Sequence, residues 1–89
     1  MLERSVVIGN RLGLHARASA KLVQALQNLD VRAHLVYRDR EVNAKSIMGV
    51  MMLAAGLGSE LLVRTDGPDE EAAMDALVDL FARKFDEES

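Results

Sequence analysis

The chain has 89 residues, with 11 Lys or Arg against 14 Asp or Glu, one Tyr, two Phe and no Cys or Trp. A chain of this length buries only about 60–65% of its unfolded surface, so residues 1–89 are read as a single domain with one sheet-and-helix core and no room for a deep, water-excluding active site. The absence of cysteine excludes disulfides, thiolate nucleophiles and zinc knuckles, and a net charge of −3 with so few aromatics argues against a nucleic-acid partner.

The N-terminal MLERSVVIGN carries Glu3 and Arg4 where a signal peptide needs its apolar run. No apolar stretch approaches the ~20 residues that span a bilayer, and the expectation is a cytoplasmic protein without a membrane segment. SVVI, residues 5–8, reads as a strand ended by Gly9-Asn10, followed by a loop through Gly13. From Ala16 the helical spacing places Ser19, Leu22, Val23 and Leu26 on one side and Lys21, Gln24 and Asn28 on the other, with Asn28 at the end. Ser19, the one polar member of the inward set, is placed to bond back to the preceding turn.

VRAHLVY alternates Val31, Ala33, Leu35 and Tyr37 against Arg32, His34 and Val36, a half-buried strand. Arg38-Asp39-Arg40 is a tight polar connection to a short partner strand, EVNA. Ser46 is suited to cap a helix that runs through IMGVMMLAA and stops at Gly56-Leu57-Gly58, with glycine in a left-handed position. ELLVRT is a strand, and Asp66-Gly67-Pro68-Asp69 turns into a last helix. That helix has acids in its first turn, Arg83 and Lys84 in its last, and an inward stripe of Met74, Leu77, Val78, Phe81 and Phe85. The order is βαββαβα. Three short helices cannot cover both faces of four strands, which implies α+β architecture: an open-faced β-sandwich, a four-stranded antiparallel sheet with three helices on one face.

The sequence LGLHARASAKLVQ contains His15 among Arg11, Arg17 and Lys21, and no acidic residue occurs between Glu3 and Asp30. His15 falls at the start of a helix, where free amides and the dipole favour an anion by roughly 0.3–1 kcal/mol. Arg17 adds a planar fork suited to phosphate oxygens. Near that positive helix end a neutral imidazole is favoured, which is what a phosphoryl acceptor must be. The missing carboxylates fit this reading, because an acid there would repel a phosphate and orient water toward the P–N bond. A polar helix cap is the plainer explanation of His15. Metal binding is weaker, since His34 is the only other imidazole and no carboxylate lies at ligand spacing. A Ser-His-Asp hydrolase lacks an acid near in sequence to orient the ring.

LGLHAR, with VNAKSIMGVMML downstream and DGPDEEAA opening the last helix, resembles the HPr family, the histidine-containing phosphocarriers of bacterial phosphotransferase systems, over essentially the whole chain. The resemblance implies phosphohistidine at His15 and phosphate binding by Arg17. It also implies an enzyme I-type donor supplying phosphoenolpyruvate-derived phosphate, an enzyme IIA-type acceptor and no cofactor or metal. The chain is then a carrier rather than an enzyme with its own turnover, expected to act as a monomer. Ala18 stands where the family usually has proline. The tail FDEES is similar to the nitrogen-related branch, while KSIMGVM looks more like the sugar-transport branch, and both readings stand.

The segment 47–55 is apolar nearly all round, so part of it must face water. Val50 and Leu53 read as core. In the resembling family, the positions of Ile47, Met48 and Met51 join the residues around His15, here Arg11 and Lys21, in docking both partners, and exposed methionine suits a surface that fits more than one. The match of AKSIMGVM to the segment modified by HPr kinase/phosphorylase makes Ser46 a candidate regulatory phosphosite as well as a cap. The rival from another class is a regulatory binding module of the same fold, read through its phosphorylation state. A third reading, a small metal chaperone, lacks its cysteines.

Overall fold

The computed structural model describes residues 1–87. In chain order it contains β1 (Leu2–Val7), α1 (Ala16–Leu26), β2 (Arg32–Tyr37), β3 (Arg40–Asn43), α2 (Ile47–Met52), β4 (Glu60–Asp66), α3 (Glu70–Ala82) and a short 3-10 turn at Lys84–Asp86. The four strands form one antiparallel sheet in the order β1-β4-β2-β3. Alternation decides which face is covered. Val6, Ala33, Leu35, Leu61, Val63 and Thr65 are buried under the helices. The opposite face is wet and charged: Arg64 on β4 donates to Glu3 of β1 at 2.6 Å and to Glu41 of β3 at 3.0 Å. The helices lie on the buried face, α3 against β1 and β4, α2 against β3, and α1 against α2 and α3. The expected open-faced sandwich is therefore the fold observed.

Four local readings change. β1 begins at Leu2 rather than Ser5, because Glu3 reaches the open face, where Arg64 partners it. α2 ends at Met52, and the left-handed position past its C-cap is Ala54 (φ 52), two residues before the expected glycine. α1 ends at Leu26, with Gln27 as its C-cap in place of Asn28. α3 ends at Ala82, and the inward residues are Ala73, Met74, Leu77, Leu80 and Phe81, with Val78 only half-buried. Phe85 is fully buried but is not part of that helix. Lys84, Phe85 and Asp86 all have φ between 56° and 61°, so the chain reverses hand after Arg83 and folds back toward α1.

Candidate functional site

The loop before α1 is held from three sides. Asn10 is fully buried and donates its amide to Gly13 O at 2.8 Å, while Gly13 N returns a bond to Asn10 O at 3.2 Å. Gly13 sits at φ +66°, and a Cβ there would lie 2.5 Å from Ala55 O, so only glycine lets the loop approach the exit of α2 this closely. Leu14 is buried and donates its amide to the same Ala55 carbonyl at 3.1 Å. Ser19 Oγ donates to Leu14 O at 3.0 Å, the expected bond back to the preceding turn, so this hydroxyl is not a free nucleophile. Between the anchors Leu14 and Ala18, both buried, the chain turns out only at His15, Ala16 and Arg17.

His15 is the N-cap residue of α1 (φ −73°, ψ −179°), yet its side chain caps nothing. The polar-cap explanation of this residue therefore fails. The imidazole instead meets Glu87: Nε2 lies 2.6 Å from Oε2. The other carboxylate oxygen, Oε1, accepts a bond from Asn10 Nδ2 at 3.1 Å. Nδ1 has no hydrogen-bond partner among the described residues. The expectation that carboxylates are kept from His15 is overturned, because the fold returns one from 72 residues away. Glu87 is mostly buried. Burial pushes its carboxyl up, but the hydrogen bonds from His15 and Asn10 and the charges of His15 and Lys21 outweigh it, and the net direction is down.

His15, Arg17 and Lys21 line one open depression with Leu12, Ala16, Asp86 and Glu87. Arg17 is exposed and has no polar partner among the described residues, so its fork is free for an anion. Lys21 is not free: Nζ donates to Phe85 O at 2.7 Å and lies 3.8 Å from Asp86 Oδ2. Arg11 is exposed beside the depression in sequence but does not line it. His34 lies on the open sheet face, in register with Arg64 and Asn43, and shares nothing with His15. Among the described residues no group of three His, Asp or Glu could hold a metal ion.

Ser46 is the N-cap of α2, its Oγ accepting from Gly49 N at 3.1 Å. Val50 and Leu53 are buried as expected. Ile47, Met48, Met51 and Met52 are 39–70% exposed, and Leu12 and Leu57 are more than 60% exposed. The Gly13–Leu14 contact with Ala55 and Gly56 puts this apolar surface next to the loop that carries His15.

Known proteins decide the kinship. Residues 2–83 match the family model described as the PTS HPr component phosphorylation site. The chain belongs to the HPr family. An HPr phosphocarrier from Cupriavidus necator is 58% identical over 98% of both chains, and an NPr phosphocarrier from Shewanella violacea is 41% identical over 99% of this chain and 97% of its own. Among solved structures, an HPr from Thermoanaerobacter tengcongensis superposes with a TM-score of 0.95 at 42% identity, covering both chains completely. As an HPr, the chain is a phosphocarrier of the phosphotransferase system. Glu87 and Asn10 are the residues that the sequence reading did not bring to this HPr site. The sole signal for Glu87 was an acidic run directly after an apolar Phe85.

Proposed function

We propose that His15 accepts the phosphoryl group from an enzyme I-type donor and passes it to an enzyme IIA-type acceptor in the cytoplasm. On this reading the chain works as a monomeric carrier, with no catalytic turnover of its own. The observation that carries the reading is an imidazole at the start of an 11-residue helix, beside Arg17, with neither Nδ1 nor the guanidinium partnered among the described residues. Free first-turn amides, the helix dipole and a guanidinium all favour negative charge at that spot. The Ala18 amide makes no backbone bond among the described residues, but Ala18 is fully buried, so the usual proline here would remove a donor that an anion does not reach. The test is a relay: purified enzyme I and labelled phosphoenolpyruvate should load the chain, and a IIA domain should unload it. A chain that is labelled yet delivers to no acceptor would be a regulatory module instead.

Arg17 holds phosphate oxygens and packs against nothing that the fold needs. Arg17→Ala is expected to slow single-turnover transfer on the order of tenfold, with melting temperature unchanged. Arg17→Lys recovers only part of this, since an ammonium cannot make the two-pronged contact. Full recovery by lysine would show that charge alone suffices.

Docking of both partners is assigned to Ile47, Met48, Met51, Arg11 and Lys21, a mixed apolar and basic surface suited to short-lived interfaces below about 1,200 Å². Ser46 lies at its edge as a candidate site for an HPr kinase/phosphorylase. Asp caps a helix about as well as Ser, so Ser46→Asp should keep the Gly49 bond and the melting temperature. The added charge should slow loading of His15 by an acidic donor, and salt should shrink the difference. Equal loading rates at low ionic strength would remove the electrostatic mechanism.

A further inference from the structure

We propose that Glu87 is a positioning residue for phosphoryl acceptance, its carboxylate taking the Nε2 proton of His15 in a hydrogen bond and so presenting Nδ1 as the nucleophile. The inference rests on the reading of His15 as the acceptor. At 2.6 Å between Nε2 and a carboxylate oxygen, one proton must lie between the two atoms, since a carboxylate has only lone pairs to offer. That proton occupies Nε2, and the lone pair of a neutral ring is then on Nδ1, the nitrogen without a partner among the described residues. The same bond fixes the ring plane.

The chemistry follows from that placement. The Nδ1 lone pair forms the N–P bond while the bond from phosphorus to the donor breaks, and its electron pair leaves with the donor. The ring keeps its Nε2 proton and becomes cationic. Glu87 is then the counter-charge, its Oε2 lying 2.6 Å from the nitrogen that carries that proton, as the buried aspartate is to the imidazolium of a Ser-His-Asp triad. When the group moves on to the acceptor, the ring returns to neutral in the same tautomer, with no proton to be exchanged with water.

Glu87 is itself held in place. Asn10 grips its second oxygen, and Asn10 commits its other amide bond to Gly13 O in the loop that carries His15. Asn10 Oδ1 is buried with no partner among the described residues, a desolvation cost that this double donation accompanies. Lys21 holds the tail two residues earlier, at Phe85 O. The carboxylate thus reaches the ring from a supported segment rather than by a chance surface pairing.

The test uses the full chain labelled with ¹⁵N. In wild type at neutral pH and without any donor, the His15 Nε2–H should give a protected, downfield proton resonance, with Nδ1 at the shift of an unprotonated nitrogen. Glu87→Ala should lose that resonance to solvent exchange, and its maximal single-turnover loading rate should fall on the order of tenfold, with the half-saturating donor concentration little changed. Glu87→Gln keeps a hydrogen-bond acceptor without the charge. It should retain the resonance and recover part of the rate. Wild-type spectra with no protected Nε2–H, or a Glu87→Ala variant loading at the wild-type rate, would overturn the proposal. Glu87→Gln equal to wild type would overturn its counter-charge half. The spectra need no transfer, so a failure of His15 as acceptor shows separately, as labelling that survives His15→Ala.

Discussion

His15→Ala should abolish phosphoryl acceptance in a chain that still folds cooperatively. The side chain makes no capping bond, and the helix it precedes is anchored instead by Leu14, Ala18 and Ser19, all buried. What the variant loses is the bond to Glu87, whose other oxygen keeps Asn10. That loss has a pH signature. The carboxyl of Glu87 is held below its ordinary 4.5 in the folded chain, so its contribution to stability is present above that value and disappears as pH falls through the lowered one. Removing His15 removes part of the cause. Wild type should therefore be the more stable in urea at neutral pH, and the gap should close as Glu87 protonates in acid. Acid-labile, base-stable phosphate remaining on the variant would place the acceptor elsewhere. His34, on the far face of the sheet, would be the only imidazole left.

The parts of this molecule that were legible in its sequence are those governed by neighbours along the chain. Ala33 and Leu35 announce their strand by period two, and Ser46 announces its cap by chemistry and position. His15, Arg17 and Lys21 fall at the cap and in the first two turns of α1 and do line one depression. What was not legible depends on distance. Phe85 stands four residues after Phe81, the helical spacing, and no glycine marks the reversal between them. Three ordinary residues adopt left-handed backbone because the segment that follows has partners on α1 and on the loop before it. Ala54 did the same at the end of α2, where a glycine was expected. The carboxylate at His15 is the consequence that matters for function. A stretch without acids in sequence does not imply a site without acids when the chain's far end folds over it.

Phe85→Ala is expected to have the largest effect on stability and to reach the site without touching it. Phe85 is fully buried and packs edge-on against Phe81, with ring centroids 5.0 Å apart and planes at 71°. Truncating a core phenylalanine costs about 3–5 kcal/mol. Opposing this, Lys84, Phe85 and Asp86 all adopt the left-handed backbone that a Cβ disfavours, and releasing part of it offsets a small part of the loss. A tail without its anchor can relax that strain, so the net loss should sit near the low end, about 3 kcal/mol, or roughly 12–24 °C in melting temperature for a domain of this size. The relaxation has a further consequence. The Lys21 bond to Phe85 O and the Asn10 and His15 bonds to Glu87 depend on the reversed turn, and they should be lost together. Calorimetry on Phe85→Ala should show the stability loss. At a temperature where the variant remains folded, His15 in the same sample should resemble its state in Glu87→Ala, without a protected Nε2–H. A variant that loses about 3 kcal/mol while keeping that proton would show that Glu87 holds the ring without help from the buried phenylalanine.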